Sequence, residues 1–328
     1  MNNILKITIL LSDRSTEKLS FDKPAFRKAF SRGSKIEKIT GAPISQLFSL
    51  MNINLEPHKD KPIAAVTACV DFQKDREVST YFHEAFWIRA DPVFLHADLT
   101  TLLLFDAQKF SITKDEVAGY FSMINPILAE DGLCLISGAE PSRWYIQLKE
   151  QPSMKTTIPG EVNGHDIRPF LPEGKDRAYW IRLANEIQMV LHDCSINQER
   201  QKRGEIPINS IWFWGAGKLP DQKSSKFDRV ISDDVNAQGL SIHSGIPYEN
   251  MPADFDQFLN MQEKDQHSLI VLSQGDLALS QTDDEKGGVI FDALLSGLKK
   301  GRIKQLKIIT NDQHCLVKRS HLYRFWRK

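Results

Sequence analysis

The sequence predicts an α/β protein, with a mostly parallel sheet flanked by helices and a smaller α/β portion. Three observations predict it. In the second half, strand-length apolar runs alternate with helix-length amphipathic stretches, the pattern of βαβ units whose sheet is covered on both faces. Over 328 residues the chain is 41% hydrophobic and 26% charged, the balance of a globular protein large enough for one large or two ordinary domains. Most strand candidates are rich in β-branched or aromatic residues and bounded by polar or Gly/Pro punctuation.

The first strand is expected over 4–11, where an apolar run broken by Lys6 passes into charge, with no small-residue cleavage site of a leader. Further strands are expected over 63–72, 83–90, 101–106, 133–137 and 144–148. Between them a helix runs from about Thr113 to Ala129, because Thr113 can cap it, Glu116 stands three residues on, and Asp131-Gly132 ends it. Residues 151–174 are rich in Pro and Gly and predict a linker between an N-terminal portion (1–150) and a C-terminal portion (175–328). A long helix over 176–202 follows, with an apolar stripe through Trp180, Leu183, Ile187, Val190 and Leu191. Strands over 210–214, 228–232 and 268–273, a helix over 284–300 and a strand over 305–310 complete the pattern. Ligands of such sheets gather at the carboxyl ends of the strands.

Lys plus Arg equals Asp plus Glu at 42 each, so no global field draws nucleic acid or an acidic membrane surface. No apolar stretch approaches the ~20 residues that span a bilayer, and a cytoplasmic location is expected. The four cysteines are widely separated and form no C-x-x-C pair, which argues for buried thiols in a reducing compartment.

The densest segment is HDCSINQERQKRGEIPINSIWFWGAG, His192 to Gly217. Arg is the usual grip on phosphate or carboxylate because its planar fork donates two parallel hydrogen bonds. Glycines such as Gly215 and Gly217 let a backbone approach a ligand closely or take up positive φ. The same residues also suit a helix cap and a buried strand end. In IWFW one strand face carries Trp212 and Trp214 and the other Phe213, the pattern of a doubly covered strand.

Three stretches, AFWIRADPVFLHADLTTLLLFD, ITKDEVAGYFSMINPILAEDGLCLISGAEPSRWYIQLK and the Asn197–Gly217 segment, resemble the archaeal-type cofactor-independent phosphoglycerate mutases of the alkaline phosphatase superfamily. EIQMVLH and NSIWFWGAG resemble the bacterial offshoot known as RpfE-type regulatory proteins. The resemblance implies an alkaline-phosphatase-like core. It also implies two divalent metals held by Asp and His at strand ends, with a serine that accepts the phosphoryl group between them.

Against that pattern, Asp13 stands near the first metal ligand without its Gly, and Ser79 has no nucleophile context. Asp276 matches an Asp whose following His triplet is absent, and Asp312 is followed by a displaced His314. Too few ligands remain for a tight dinuclear site, although Asp276, Asp312 and His314 could share one manganese or zinc. The anion-gripping side is better kept: Arg143 resembles an arginine placed against substrate, and Asn197, Arg200, Asn209, Gly215 and Gly217 match residue for residue. The resemblance therefore implies a catalytically degenerate regulatory protein that binds a small phosphorylated acid. An active metal-dependent phosphomutase or phosphatase with a rearranged site is the alternative. A third reading is an interaction module using the basic and aromatic tail KRSHLYRFWRK, which equally suits a last strand with a solvated face.

Other tempting groups have plainer readings. His192, Asp193 and Cys194 diverge on a helix. His165 and Asp166 lie in the expected linker. The basic run Lys299, Lys300, Arg302, Lys304 and Lys307 complements a helix end.

Overall fold

A computed structural model describes residues 5–11, 32–36, 41–73, 84–106, 110–221, 224–261, 266–273, 286–310 and 314–323. In chain order its main elements are β1 (Leu5–Leu11), β2 (Ser34–Lys35), α1 (Pro43–Leu50), α2 (Ile63–Asp71), β3 (Phe86–Ala97), β4 (Leu102–Asp106), α3 (Lys114–Ala129), β5 (Leu135–Ser137) and β6 (Trp144–Leu148). After these come β7 (Met154–Lys155), β8 (Glu173–Gly174), α4 (Arg177–His192), α5 (Ser195–Lys202), β9 (Ser210–Gly217), β10 (Arg229–Ile231) and α6 (Val235–His243). The last are β11 (Tyr248–Glu249), α7 (Phe255–Met261), β12 (His267–Leu272), α8 (Lys286–Lys299), β13 (Ile303–Ile309) and β14 (His314–Lys318). None of the described helices is long and apolar enough to cross a membrane.

Contacts divide the chain into two compact units, Met1–Asn54 with Asp221–Lys328, and Leu55–Pro220. The boundaries thus fall near residues 54 and 220, and the Pro/Gly-rich 151–174 stretch lies inside the second unit. There β7 pairs with β8, and Gly164 N–H and Ile167 N–H donate to the β4 carbonyls of Leu104 (2.7 Å) and Leu102 (2.9 Å). Pro and Gly shape this path without freeing it, because its backbone groups find partners on the sheet.

The first unit carries the parallel sheet, in the order β11-β10-β12-β1-β13-β14-β2. β11, β10, β12, β1 and β13 run parallel, and β14 and β2 close the edge antiparallel. Alternation along β1 sends Leu5, Ile7, Ile9 and Leu11 to one face, where they join Leu306, Ile308, Ile270 and Leu272 and the apolar sides of α7 and α8.

The second unit has an antiparallel sheet: β3 pairs with β9 along one edge and with β6 and β4 along the other, and β5 adds to β6. One face packs Ile88, Ala90, Trp144, Ile146, Ile211 and Phe213 against α3 and α4. α3 begins as its residue types dictate, with Thr113 Oγ accepting from Glu116 N–H at 3.2 Å and Glu116 accepting from Thr113 N–H at 2.9 Å.

Two expected elements differ. Residues 63–71 form a helix, although Ile63, Val66, Thr67 and Val70 give them strand composition; its i, i+4, i+8 face meets the sheet, Ile63 against Gly215, Thr67 at Arg89 and Asp71 at Tyr145. The expected 176–202 helix is two, broken at Asp193 and Cys194, so the polar α5 turns away from the apolar stripe of α4.

Candidate functional site

The face of the second sheet under α2 carries buried polar groups. Period-two alternation on β3 points Trp87, Arg89 and Asp91 toward α2, and the same alternation brings Tyr145 from β6 and Trp214 from β9. Arg89 and Asp91 are 5% and 6% exposed and pair through two parallel bonds, Nε to Oδ1 at 2.9 Å and Nη2 to Oδ2 at 2.8 Å. The Asp91 carboxylate also accepts from Trp214 Nε1 (2.9 Å) and from the Trp144 backbone (3.3 Å). Burial pushes the Asp91 carboxyl upward, opposed by Arg89 and by those two N–H donors. The guanidinium lies between the rings of Tyr145 and Trp214, 4.9 and 5.1 Å from their centroids, and Nη1 reaches Thr67 at 3.3 Å.

A second pair adjoins it. Arg143 grips Asp71, at the end of α2, through Nε (2.8 Å) and Nη2 (2.6 Å), and Tyr145 Oη donates to the same carboxylate at 2.7 Å. Burial raises the Tyr145 hydroxyl pKa, so it remains a donor. Gly138 covers this carboxylate; a Cβ there would lie 2.3 Å from Asp71 Oδ2 and 3.0 Å from the Arg143 carbonyl. Arg89, Asp91, Asp71 and Tyr145 were absent from the expected set. Their signal in the sequence is R-x-D on a strand, two charges on one side of a segment otherwise rich in apolar residues.

The expected anion grip is dispersed and internally engaged. Arg200 is 1% exposed and donates to the carbonyls of Ile206 (2.9 Å) and Ser111 (2.8 Å) and to Glu116 (3.0 Å). Burial alone would raise Glu116, but its bond from Thr113 N–H and the charges of Arg200 and Arg203 hold it below its ordinary range. Asn197 accepts from Tyr120 Oη (2.7 Å) and Ile208 N–H (2.9 Å) and donates to the carbonyls of Leu191 and Ile208, both at 2.8 Å. Asn209 exchanges two bonds with the Leu95 backbone, 2.7 and 2.9 Å, extending the β9 ladder by one side chain. These residues fasten α4, α5 and the loop into β9 to the rest of the unit.

Gly215 and Gly217 serve close packing of a helix on a strand. Gly215 has φ +70°, and a Cβ on Gly217 would fall 2.7 Å from Pro62 Cβ and 3.0 Å from its Cα, at the start of α2. The backbone between them is held by Asp60, which accepts from Ala216 N–H (3.1 Å) and from the Thr156 hydroxyl, while Thr156 Oγ1 accepts from Gly215 N–H at 2.9 Å. Gly217→Ala is expected to destabilise the second unit by about 1–3 kcal/mol through overpacking; a urea unfolding midpoint equal to wild type would contradict that packing role.

Of the expected metal ligands, Asp276 and Asp312 lie outside the described residues, as do Asp13 and Ser79. His314 is buried at the start of β14, opposite Ile309. Among the described residues no three His, Cys, Asp or Glu side chains cluster as a metal site. By themselves the described residues do not supply the three or four ligands that a divalent ion takes. His165 bonds the Asn163 backbone (3.0 Å) and Asp166 pairs with Arg168 at the surface. Trp212 Nε1 donates to the Thr157 carbonyl at 2.8 Å, while Phe213 packs on Trp180. Residues 324–328 of the basic and aromatic tail also lie outside the described residues.

No family model matches the chain. Over 151 residues it is 27% identical to a probable 2,3-bisphosphoglycerate-independent phosphoglycerate mutase of Geobacter sulfurreducens, a match covering 44% of this chain and 38% of that protein. Over 174 residues it is 26% identical to the 2,3-bisphosphoglycerate-independent phosphoglycerate mutase of Methanosarcina mazei, covering 48% and 42%. The matches thus span about two fifths of these curated relatives. A cofactor-independent phosphoglycerate mutase structure from Thermoplasma acidophilum aligns with 97% of this chain and 90% of its own at 15% identity and a TM-score of 0.45. By sequence the chain is a distant relative of the cofactor-independent phosphoglycerate mutases.

Proposed function

We propose that this chain is a catalytically degenerate relative of the phosphoglycerate mutases that acts as a regulatory, phospho-ligand-binding protein, and that Arg143 is its contact with the ligand. One observation carries the reading. Among Arg89, Arg143 and Arg200, only Arg143 keeps an appreciable part of its side chain in solvent, 20%, against 6% and 1% for the others. Its fork is loaded with the Asp71 carboxylate, the same chemical group that a small phosphorylated acid presents. Ligand binding is then an exchange, in which a carboxylate or phosphate replaces Asp71 on Arg143. The other two arginines are spent on internal carboxylates and hold the fold.

Calorimetric titration with 3-phosphoglycerate is the test. Wild type is expected to bind, Arg143→Ala to lose at least about tenfold in affinity, and Asp71→Asn, which keeps the shape but removes the competing charge, to bind more tightly. Absence of binding by wild type sinks the reading. Mutase turnover that requires manganese or zinc and collapses in Asp312→Ala would replace it with the enzymatic alternative.

A further inference from the structure

One face of the parallel sheet of the first unit packs on α7 and α8; on the other, beside the buried Leu10, Leu269 and Val271, positive charge gathers where β1 and β12 begin. Alternation places Lys6 and Thr8 opposite to Leu5, Ile7 and Ile9, and the strand register carries that face sideways. Lys6 stands beside His267 on β12, and Thr8 beside Lys307 on β13. Thr8 Oγ1 and His267 Nε2 are 3.0 Å apart, and the His267 ring lies 4.6 Å from the buried Phe227 ring. Lys226, next in sequence to Phe227, holds its Nζ 5.3 Å from that ring's centroid. The loop carrying it is tied down by Asn52 Nδ2 bonding the Ser224 carbonyl at 3.3 Å and by Phe227 N–H bonding Ser225 Oγ at 3.0 Å. β1, β12, β13 and the loop before β10 thus bring three ammonium groups and an imidazole to one patch.

Among the described residues its counter-charge is thin, and among them a nearby carboxylate is Asp228, which accepts from His267 backbone N–H at 2.7 Å. Among the described residues neither Lys6, Lys226 nor Lys307 forms an ion pair, whereas Arg229 on the adjoining strand is paired with Glu249 at 3.0 Å. Among the described residues these cations are gathered without a paired carboxylate, the arrangement that an oxyanion would complete.

We propose that this patch is a binding site for a phosphate-class oxyanion, held by Lys6, Lys226 and Lys307, with Thr8 and His267 as its floor. The site uses no residue of the second unit and stands independently of the Arg143 reading. Titration behaviour agrees. Burial, then Lys226 and Lys6, hold the His267 imidazole below its ordinary value, and burial with Lys226 does the same to Lys307. A bound anion would relieve both.

The experiment uses the full chain carrying Arg143→Ala, so that the site in the second unit does not contribute. Inorganic phosphate and glycerol phosphate are titrated by calorimetry, and the His267 ring is followed by NMR in phosphate and in chloride. Binding is expected, with the His267 titration midpoint moved up in phosphate. Affinity should fall at least tenfold in Lys226→Met and in Lys307→Met and stay unchanged in Lys299→Met. Tighter binding of either anion supports the site and identifies whether the free ion or a phosphomonoester is its ligand. Absence of binding overturns the proposal, as does wild-type affinity in the folded Lys226→Met/Lys307→Met double variant. Loss of 3-phosphoglycerate binding in Arg143→Ala alone leaves it untouched.

Discussion

Replacing Asp91 by alanine is expected to destabilise the second unit by about 3–5 kcal/mol, the usual cost of removing one partner of a buried ion pair. The reason is what stays behind. Arg89, almost wholly buried, would lose both bonds of its fork and keep Thr67 at 3.3 Å with the faces of two aromatic rings. Trp214 Nε1 and the Trp144 backbone N–H would lose their acceptor in the same step. Replacing both charges, as in Arg89→Met/Asp91→Leu, should cost much less, because no unpaired charge then remains in the layer. Urea unfolding followed by tryptophan fluorescence tests this well, since Trp87 and Trp214 line the affected face. A loss under about 1 kcal/mol for Asp91→Ala would mean that Arg89 is rehoused on Asp71, and the two pairs would then have to be treated as one exchangeable network.

Asn197→Ala is the second large effect, and it separates two roles for the densest segment of the sequence. One carboxamide satisfies a tyrosine hydroxyl, one backbone N–H and two backbone carbonyls, all buried. Each buried polar group left without a partner costs about 1–3 kcal/mol, so the variant should lose at least about 3 kcal/mol, measured by the same unfolding experiment. A ligand-gripping asparagine would behave otherwise, losing ligand while the unfolding midpoint held. Arg200→Ala is expected to follow the stability pattern, since its donors are committed to Ile206, Ser111 and Glu116.

The two variants also explain why the segment invites a functional reading. Asn, Arg and paired Gly close to an aromatic strand are the residue types a ligand needs, and they are also what a helix needs to dock on a strand without leaving polar groups unmet. Composition and spacing are the same in both cases. The difference lies in whether the donors meet a ligand or the chain itself, and that is set by residues far away: Tyr120 for Asn197, Ser111 and Glu116 for Arg200, Leu95 for Asn209 and Pro62 for Gly217.

Local rules determined a good deal of this protein. The capping box at Thr113 and Glu116, the strand over 144–148, the alternation of Trp212, Phe213 and Trp214, and the parallel strands of the first unit all follow from short-range periodicity and end signals, which act over a few residues and can be read there. Tertiary structure decided the rest. It made 63–71 a helix whose Ile63, Thr67 and Asp71 meet the sheet, drew 151–174 into the second unit through the carbonyls of β4, and paired Arg89 with Asp91 and Arg143 with Asp71. It also gathered Lys6, Lys226, His267 and Lys307, from four elements, onto one face. The energies involved, burial of charge and satisfaction of buried donors, depend on neighbours distant in sequence, and strand order and register are what bring those neighbours together.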